Sequence, residues 1–210
     1  GGIEAETSSF LDAFNQNLIG INMSGPIIKN KAGRSILGFR VAGRVTYNEE
    51  DNPAATPIYR AKESKIAELE ANPILLLGSD NLVAADFLKT GDVEAMDARL
   101  FEEVQRYDFT GKLDARISDA VDLSFTGAYV TTKDRFTPGG WSLLNNHNNP
   151  YGFNNTYRGN FRLRHRLSGA SSTSADGQAR QTSTIQNASY TLQAGYEKTT
   201  FEDYDVRHED

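Results

Sequence analysis

The sequence predicts an all-β chain, an antiparallel up-and-down segment of a transmembrane β-barrel. Three observations predict it: unbroken two-residue alternation, no run apolar enough for a membrane helix, and connections that alternate between long and short. From Arg106 to Tyr129 the alternation is broken only by one short turn. Tyr107, Phe109, Gly111, Leu113, Ala115 and Ile117 fall on one side. Arg106, Asp108, Thr110, Lys112, Asp114 and Arg116 fall on the other, because successive strand side chains point to opposite faces. After Ser118-Asp119-Ala120 the pattern resumes with Val121, Leu123, Phe125, Gly127 and Tyr129 against Asp122, Ser124, Thr126 and Ala128. Each arm matches the roughly 9–11 residues that a tilted strand needs to cross a bilayer. The apolar side is then expected to meet lipid and the charged side a wet lumen. An ordinary antiparallel sheet with one solvated face fits this hairpin equally well.

Composition points the same way. Of 210 residues only 38% are hydrophobic, and the mean hydropathy is -0.53, low for a filled globular core of this length. The longest apolar run considered, Ile74 to Leu77, falls far short of the roughly 18 residues of a membrane helix, so insertion has to be by strands. With no cysteine there is no disulfide framework or thiolate metal site. The net charge of -6 argues against a nucleic-acid partner. No initiator Met or basic n-region stands at Gly1, so any signal peptide is expected to be removed or outside this sequence.

Taken in order, the elements repeat one rhythm. A weak opening strand spans Ile3 to Ser9. Ile19, Ile21 and Met23 then alternate with Asn22 and Ser24, and Leu37, Phe39, Val41, Gly43, Val45 and Tyr47 with Arg40, Ala42, Arg44 and Thr46. After the Arg106–Tyr129 hairpin, Tyr157, Gly159, Phe161, Leu163 and Leu167 oppose Arg158, Asn160, Arg162, Arg164 and Arg166, with His165 a misfit on the apolar side. The last segment sets Ala188, Tyr190, Leu192, Ala194 and Tyr196 against Ser189, Thr191, Gln193 and Glu197. About seven strands result.

Long connections, 48–103 and about Lys133 to Asn155, alternate with the three-residue turn Ser118 to Ala120. Barrels of the outer membrane have long outside loops and short periplasmic turns. The first two are therefore expected outside the cell, and Gly25 to Arg34 and Gly169 to Thr182 on the periplasmic side. In this orientation Tyr47, Tyr107, Tyr129, Tyr157 and Tyr196 lie near the outer end of the apolar face, as an interfacial girdle requires. Tyrosine is also simply common in strands.

Within the long loop, Pro57 to Asn72 suggests a short amphipathic helix using Ile58, Ile66 and Leu69 and ended by Pro73. The segment Asn48 to Glu103 carries thirteen acidic and five basic residues. Asn48 to Asn52 offers oxygen ligands, but not in calcium-loop spacing, and no metal is expected. Glu49, Glu50, Glu102 and Glu103 read as solvated acids. His147, His165 and His208 lack metal-ligand spacing, and no GxSxG, HExxH or Walker sequence occurs, so no enzyme activity and no cofactor is expected. The expected binding residues are the lumen-facing Arg40, Arg44, Arg106, Arg158, Arg162 and Arg164, with Arg166 on the same side. Their field would attract an anionic or carboxylate-bearing partner.

Several stretches resemble a known family. GGIEAETSSFLDAF, NLIGINMSGPIIKNK and SILGFRVAGRVTYNEEDNPAATPIYRAKESKIAELEANP are similar to the first barrel strands and first large outer loop of TonB-dependent outer-membrane receptors of the Bacteroidota, the SusC/RagA-like group. FNNTYRGNFRLRHRL, IQNASYTLQAGYEK and the terminal VRHED resemble the strands that follow. The resemblance implies a plugged barrel of about 22 strands. It also implies nutrient import across the bacterial outer membrane, energised by TonB, and in many members a SusD-type lipoprotein lid that captures glycans or peptides. Residues 1–210 would then be a fragment of one barrel domain, with signal peptide, plug and remaining strands outside it. The partners implied are the protein's own plug, the TonB complex, such a lipoprotein and outer-membrane lipid. Two other readings stay open: a non-transporting surface barrel or adhesin, and a soluble β-rich carbohydrate-binding module with its apolar faces packed as a sandwich.

Overall fold

The computed structural model describes residues 1–167, 171–173, 179–181, 188–205 and 207. The chain begins with β1 (Gly2–Thr7), β2 (Asn17–Lys29) and β3 (Ser35–Asn48). An inserted segment follows, with β4 (Ile58–Ala61), α1 (Glu63–Ala71), β5 (Ile74–Leu77), β6 (Asp80–Val83) and β7 (Val93–Met96). Then come β8 (Val104–Arg116), β9 (Val121–Arg135), β10 (Tyr151–Leu167), the small hairpin of β11 (Ser171–Thr173) and β12 (Ala179–Gln181), and β13 (Ala188–Tyr204). One seven-stranded sheet takes the order β1-β2-β3-β8-β9-β10-β13, every neighbour antiparallel. The inserted segment forms two separate two-stranded sheets: β5 and β6 make a hairpin, and β4 pairs with β7 across the 31 residues 62–92.

Register explains why the two faces differ so sharply. Residues paired directly across an antiparallel ladder share a face. One row runs Ile21, Gly43, Phe109, Tyr129, Tyr157 and Lys198; another runs Gly25, Phe39, Leu113, Phe125, Phe161 and Ala194. The apolar set of every long strand is thus in phase with its neighbours. Nothing covers this face among the described residues: Ile19, Phe125 and Leu192 are 61%, 51% and 58% exposed. The buried hydrophobic residues described are only Leu18, Ala61, Ala84 and Ala98, so the sheet is a single layer held by backbone ladders and cross-strand pairs.

Several boundaries differ from the sequence expectation. β2 continues past Ser24 to Lys29, with register shifts between Pro26 and Ile28 and between Ile28 and Lys29. Pro26 lacks an amide donor and sits where the ladder is already irregular. β9 and β10 extend to Arg135 and back to Tyr151, so the expected Lys133 to Asn155 loop shrinks to 136–150. Charge hid this part from the alternation. Lys133 Nζ lies 4.3 Å from the Tyr151 ring centroid, and the Arg135 guanidinium 4.8 Å from Tyr151 and 4.9 Å from Phe101. Cation–π contacts thus take the place of apolar pairs. Arg135 also donates to the carbonyls of His147 and Asn149, which pins the loop to the strand ends.

The expected helix is shorter. Ile58 belongs to β4 and pairs with Met96, and α1 buries no residue, so it presents no apolar stripe to a core. The four short strands of the segment escaped detection because four residues are too few to establish a period. Glu50 is not a solvated acid but is 3% exposed. Its carboxylate accepts the Arg99 backbone N–H and the Arg99 guanidinium, both at 2.8 Å. Glu49 accepts the Tyr47 hydroxyl, while Glu102 and Glu103 face Arg99 and Arg135. His165 fits its place by hydrogen bonding Tyr190 Oη at 3.0 Å. His208, most of VRHED and most of Gly169 to Thr182 lie outside the described residues.

Two stability predictions follow from this packing. At Gly159 an added Cβ meets nothing within 4 Å, whereas at Gly43 it meets the Phe109 ring at 3.1 Å. Gly159→Val should raise stability by up to about 1 kcal/mol through strand propensity, and Gly43→Val should lower it by about 1–3 kcal/mol through overpacking. The thermal midpoints of the two variants check the opposite signs. Glu50→Ala strands Arg99 and should loosen 49–103 by about 1–3 kcal/mol, read as faster limited proteolysis within that segment.

Candidate binding face

The face opposite the apolar one gathers the charges. Arg40, Arg44, Arg106, Arg158, Arg162 and Arg164, with Arg166, all occupy it, because each pairs across the ladder with a residue of the polar phase: Arg44 with Gly20 and Asp108, Arg40 with Ser24 and Lys112, Arg162 with Ser124 and Gln193. Lys112 and Arg116 stand beside them.

These cations fall into two groups. Arg44 reaches across the side-chain-free Gly20 to Glu4 at 3.1 Å, Arg106 grips Asp108 with two 2.9 Å bonds, and Arg158 meets Glu197 at 2.7 Å. Asp122 is shared by Arg116 at 3.5 Å and by Arg166, so the expected cross-strand pair at the Ser118 turn is present. Lys112 holds Asp114 at 2.9 Å. Arg40, Arg162 and Arg164, by contrast, have no carboxylate within ion-pair distance among the described residues. Arg40 even stands directly opposite Lys112.

Two recesses follow this division. The one nearer the long connections is lined by Glu4, Arg44, Arg106 and Asp108 and neutralises itself. The other, about 580 Å³, lies at the short-turn half between Ser24, Ser35 and Ser124. It holds five cations, Arg40, Lys112, Arg116, Arg162 and Arg164, against two acids, Asp114 and Asp122. It is a positive recess in an acidic chain. At the opposite end of the same face the carboxylates of Asp134 and Asp203 crowd over Gly152, whose Cβ would sit 2.9 and 3.1 Å from them. Among the described residues no three His, Asp or Glu side chains converge as a metal site.

The sequence located the arginines on one face but could not say which were neutralised. That partition depends on register, since Glu4 and Glu197 are about forty residues from the arginines they meet. Lys112 and Arg116 carry the same alternation signal and belong in the recess as well.

On the apolar face the five tyrosines form a staircase. Across the ladder Tyr47 is level with Glu202, Tyr107 with Thr200, and Tyr129 and Tyr157 with Lys198, which are six, four and two residues beyond Tyr196 on β13. Tyr129 and Tyr157 stack at 4.8 Å. In comparisons with protein families, curated proteins and solved structures, nothing matches this chain.

The two groups of arginine should respond differently to charge removal. Arg44→Gln loses an exposed pair and should cost about 0.2–1 kcal/mol, whereas Arg40→Gln removes a like charge opposite Lys112 and should be neutral or slightly stabilising. Denaturant midpoints for the two variants, with Glu4→Gln to complete the first cycle, check the contrast.

Proposed function

We propose that this chain is a stretch of wall of a transmembrane β-barrel in a bacterial outer membrane. In this reading the apolar face meets lipid and the arginine-rich face lines a wet lumen. The observation that carries the reading is the tyrosine staircase on an uncovered apolar face. Six residues of about 3.3 Å against four strand spacings of about 4.8 Å set the line of tyrosines at about 45° to the hydrogen-bond direction. Laid level with a membrane interface, that line tilts the strands by about 45°, the upper end of the roughly 35–45° usual in outer-membrane barrels. Strand propensity alone gives no reason for a level girdle.

The same geometry favours a barrel over a soluble sandwich, which needs a second layer against the apolar face. Beyond the wall, the proposed activity is that of the family the sequence resembles: TonB-dependent import of a nutrient such as a glycan, peptide or chelate. The plug, the TonB complex and a SusD-type lipoprotein are proposed partners on that resemblance. The long segment 49–103 would stand outside the cell, where its paired strands would meet substrate or lid.

Depth along the tilted strand makes the membrane reading quantitative. On β8, Leu113 is six residues below Tyr107 and Phe109 two. At 45° this places Leu113 about 14 Å and Phe109 about 5 Å below the girdle, in an apolar band about 25 Å tall. Leu113→Arg should therefore cost about 2–4 kcal/mol, Phe109→Arg about 1 kcal/mol, and the lumen-facing Thr110→Arg least. Heat-modifiable migration and outer-membrane fractionation of the full-length protein report the order. Equal effects of Leu113→Arg and Thr110→Arg would remove the lipid assignment.

A further inference from the structure

The hairpin of β5 and β6 is apolar and exposed, and the ladder leaves one of its edges open. Ile74, Leu75, Leu76 and Leu77 all face solvent, Leu76 with 75% and Leu77 with 68% of its surface exposed. The Ala84 N–H donates to the Pro73 carbonyl at 2.9 Å, so Leu75 with Leu82 and Leu77 with Asp80 are the hydrogen-bonded pairs of the alternating ladder. The backbone N–H and C=O of Ile74 and Leu76 therefore point away from β6, and no other strand pairs with β5 among the described residues. Protein edge strands are usually blunted by charge, proline or a bulge, and β5 carries none of these. We infer that this edge takes a third strand from a free, extended peptide that is apolar at its centre and positively charged at its ends, a site independent of whether the seven-stranded sheet lines a barrel.

Charge selects the occupant. Glu70 near the end of α1 and Asp86 in the short helical turn Ala84–Phe87 flank the base of the hairpin, and Asp80 stands at its tip. All three are exposed and have no cation within ion-pair distance among the described residues. An added strand runs along β5 from base to tip, so its two ends pass these carboxylates and basic residues there answer them. Backbone pairing supplies affinity, and the side chains of β5 pack the alternate residues of the peptide. A second copy of this chain would bring the same acids against one another, and an anionic lipid surface would meet them with like charge. The edge strand of a folded protein is itself commonly blunted, whereas an extended peptide offers an open edge.

The test measures the fluorescence anisotropy of a rhodamine-labelled peptide, Lys-Lys-Val-Thr-Val-Thr-Lys-Lys, with the full-length protein in phosphatidylcholine nanodiscs, or in buffer if the protein is soluble. Empty nanodiscs give the background. Saturable binding is expected, weakening about tenfold or more when every lysine of the peptide is replaced by glutamate and about tenfold when its central amides are N-methylated. Leu76→Pro deletes one outward N–H without touching a bond of the hairpin and should weaken binding about fivefold. If that variant disturbs the hairpin, Asp80→Lys at the exposed tip should weaken binding by a similar factor through charge. Equal binding of the glutamate or N-methylated peptide overturns the inference, as does binding unchanged in both variants or no binding above background. Self-association of the protein that is lost in Leu76→Lys assigns the edge to a second copy, and binding abolished by added phosphatidylcholine vesicles assigns it to lipid; either result overturns the inference too.

Discussion

The constraint on which the whole arrangement depends is strand register. Because side chains alternate with a period of two, a slip of one residue anywhere between β2 and β13 would turn a row of arginines onto the apolar side and a row of Phe, Leu and Tyr onto the charged side. The ladder prevents this by pairing long strands without interruption. β9 and β10 keep one register from Arg135 opposite Tyr151 to Val121 opposite His165, and β10 and β13 keep one over all seventeen residues of each strand. Where a register shift does occur, at Pro26 to Lys29, it lies at a strand end beside a turn. There it changes the facing of very few residues.

Pattern made the sheet legible, and its limits were those of the pattern. Tyr107 to Ile117 and Tyr157 to Leu163 could be assigned to faces from sequence because their apolar residues recur every second position. The same rule failed at Thr131 to Arg135 and at Tyr151 to Asn155, where Lys133 and Arg135 lie on the apolar phase and are stabilised by aromatic rings on the adjacent strand. A contact between strands cannot be read from the hydropathy of either one alone. The short strands of the inserted segment, four residues each, are too short to show a period, and β5, Ile74-Leu75-Leu76-Leu77, is apolar at every position and carries none. Among the arginines the face was legible, but the division into neutralised and free groups was not. It depends on Glu4 reaching Arg44 over a glycine and on Asp122 serving two partners.

Charge on the polar face is therefore ordered on two scales. Locally, most cations meet an acid one strand or two residues away, which fixes side-chain direction with little net field. Over the length of the strands, the short-turn half keeps an excess of guanidinium while carboxylates collect at the long-connection half. A sheet face with these opposed ends presents a field gradient along the strands even though its individual pairs are nearly neutral.

The clamp inside the inserted segment also bears on how the sheet assembles. β3 and β8 are neighbours in the ladder but are separated by the 55 residues 49–103, and closing a flexible loop of that length costs about 3–4 kcal/mol in chain entropy. Glu50 and Glu102 form a bridge at the base of this loop, and Arg99 ties the same two residues together. With β4 paired to β7 across the segment and the hairpin β5–β6 between them, the segment draws its two ends together beside the ends of β3 and β8. The insertion that interrupts the meander in sequence thus carries at its base the contacts that hold together the ends of the two strands it separates.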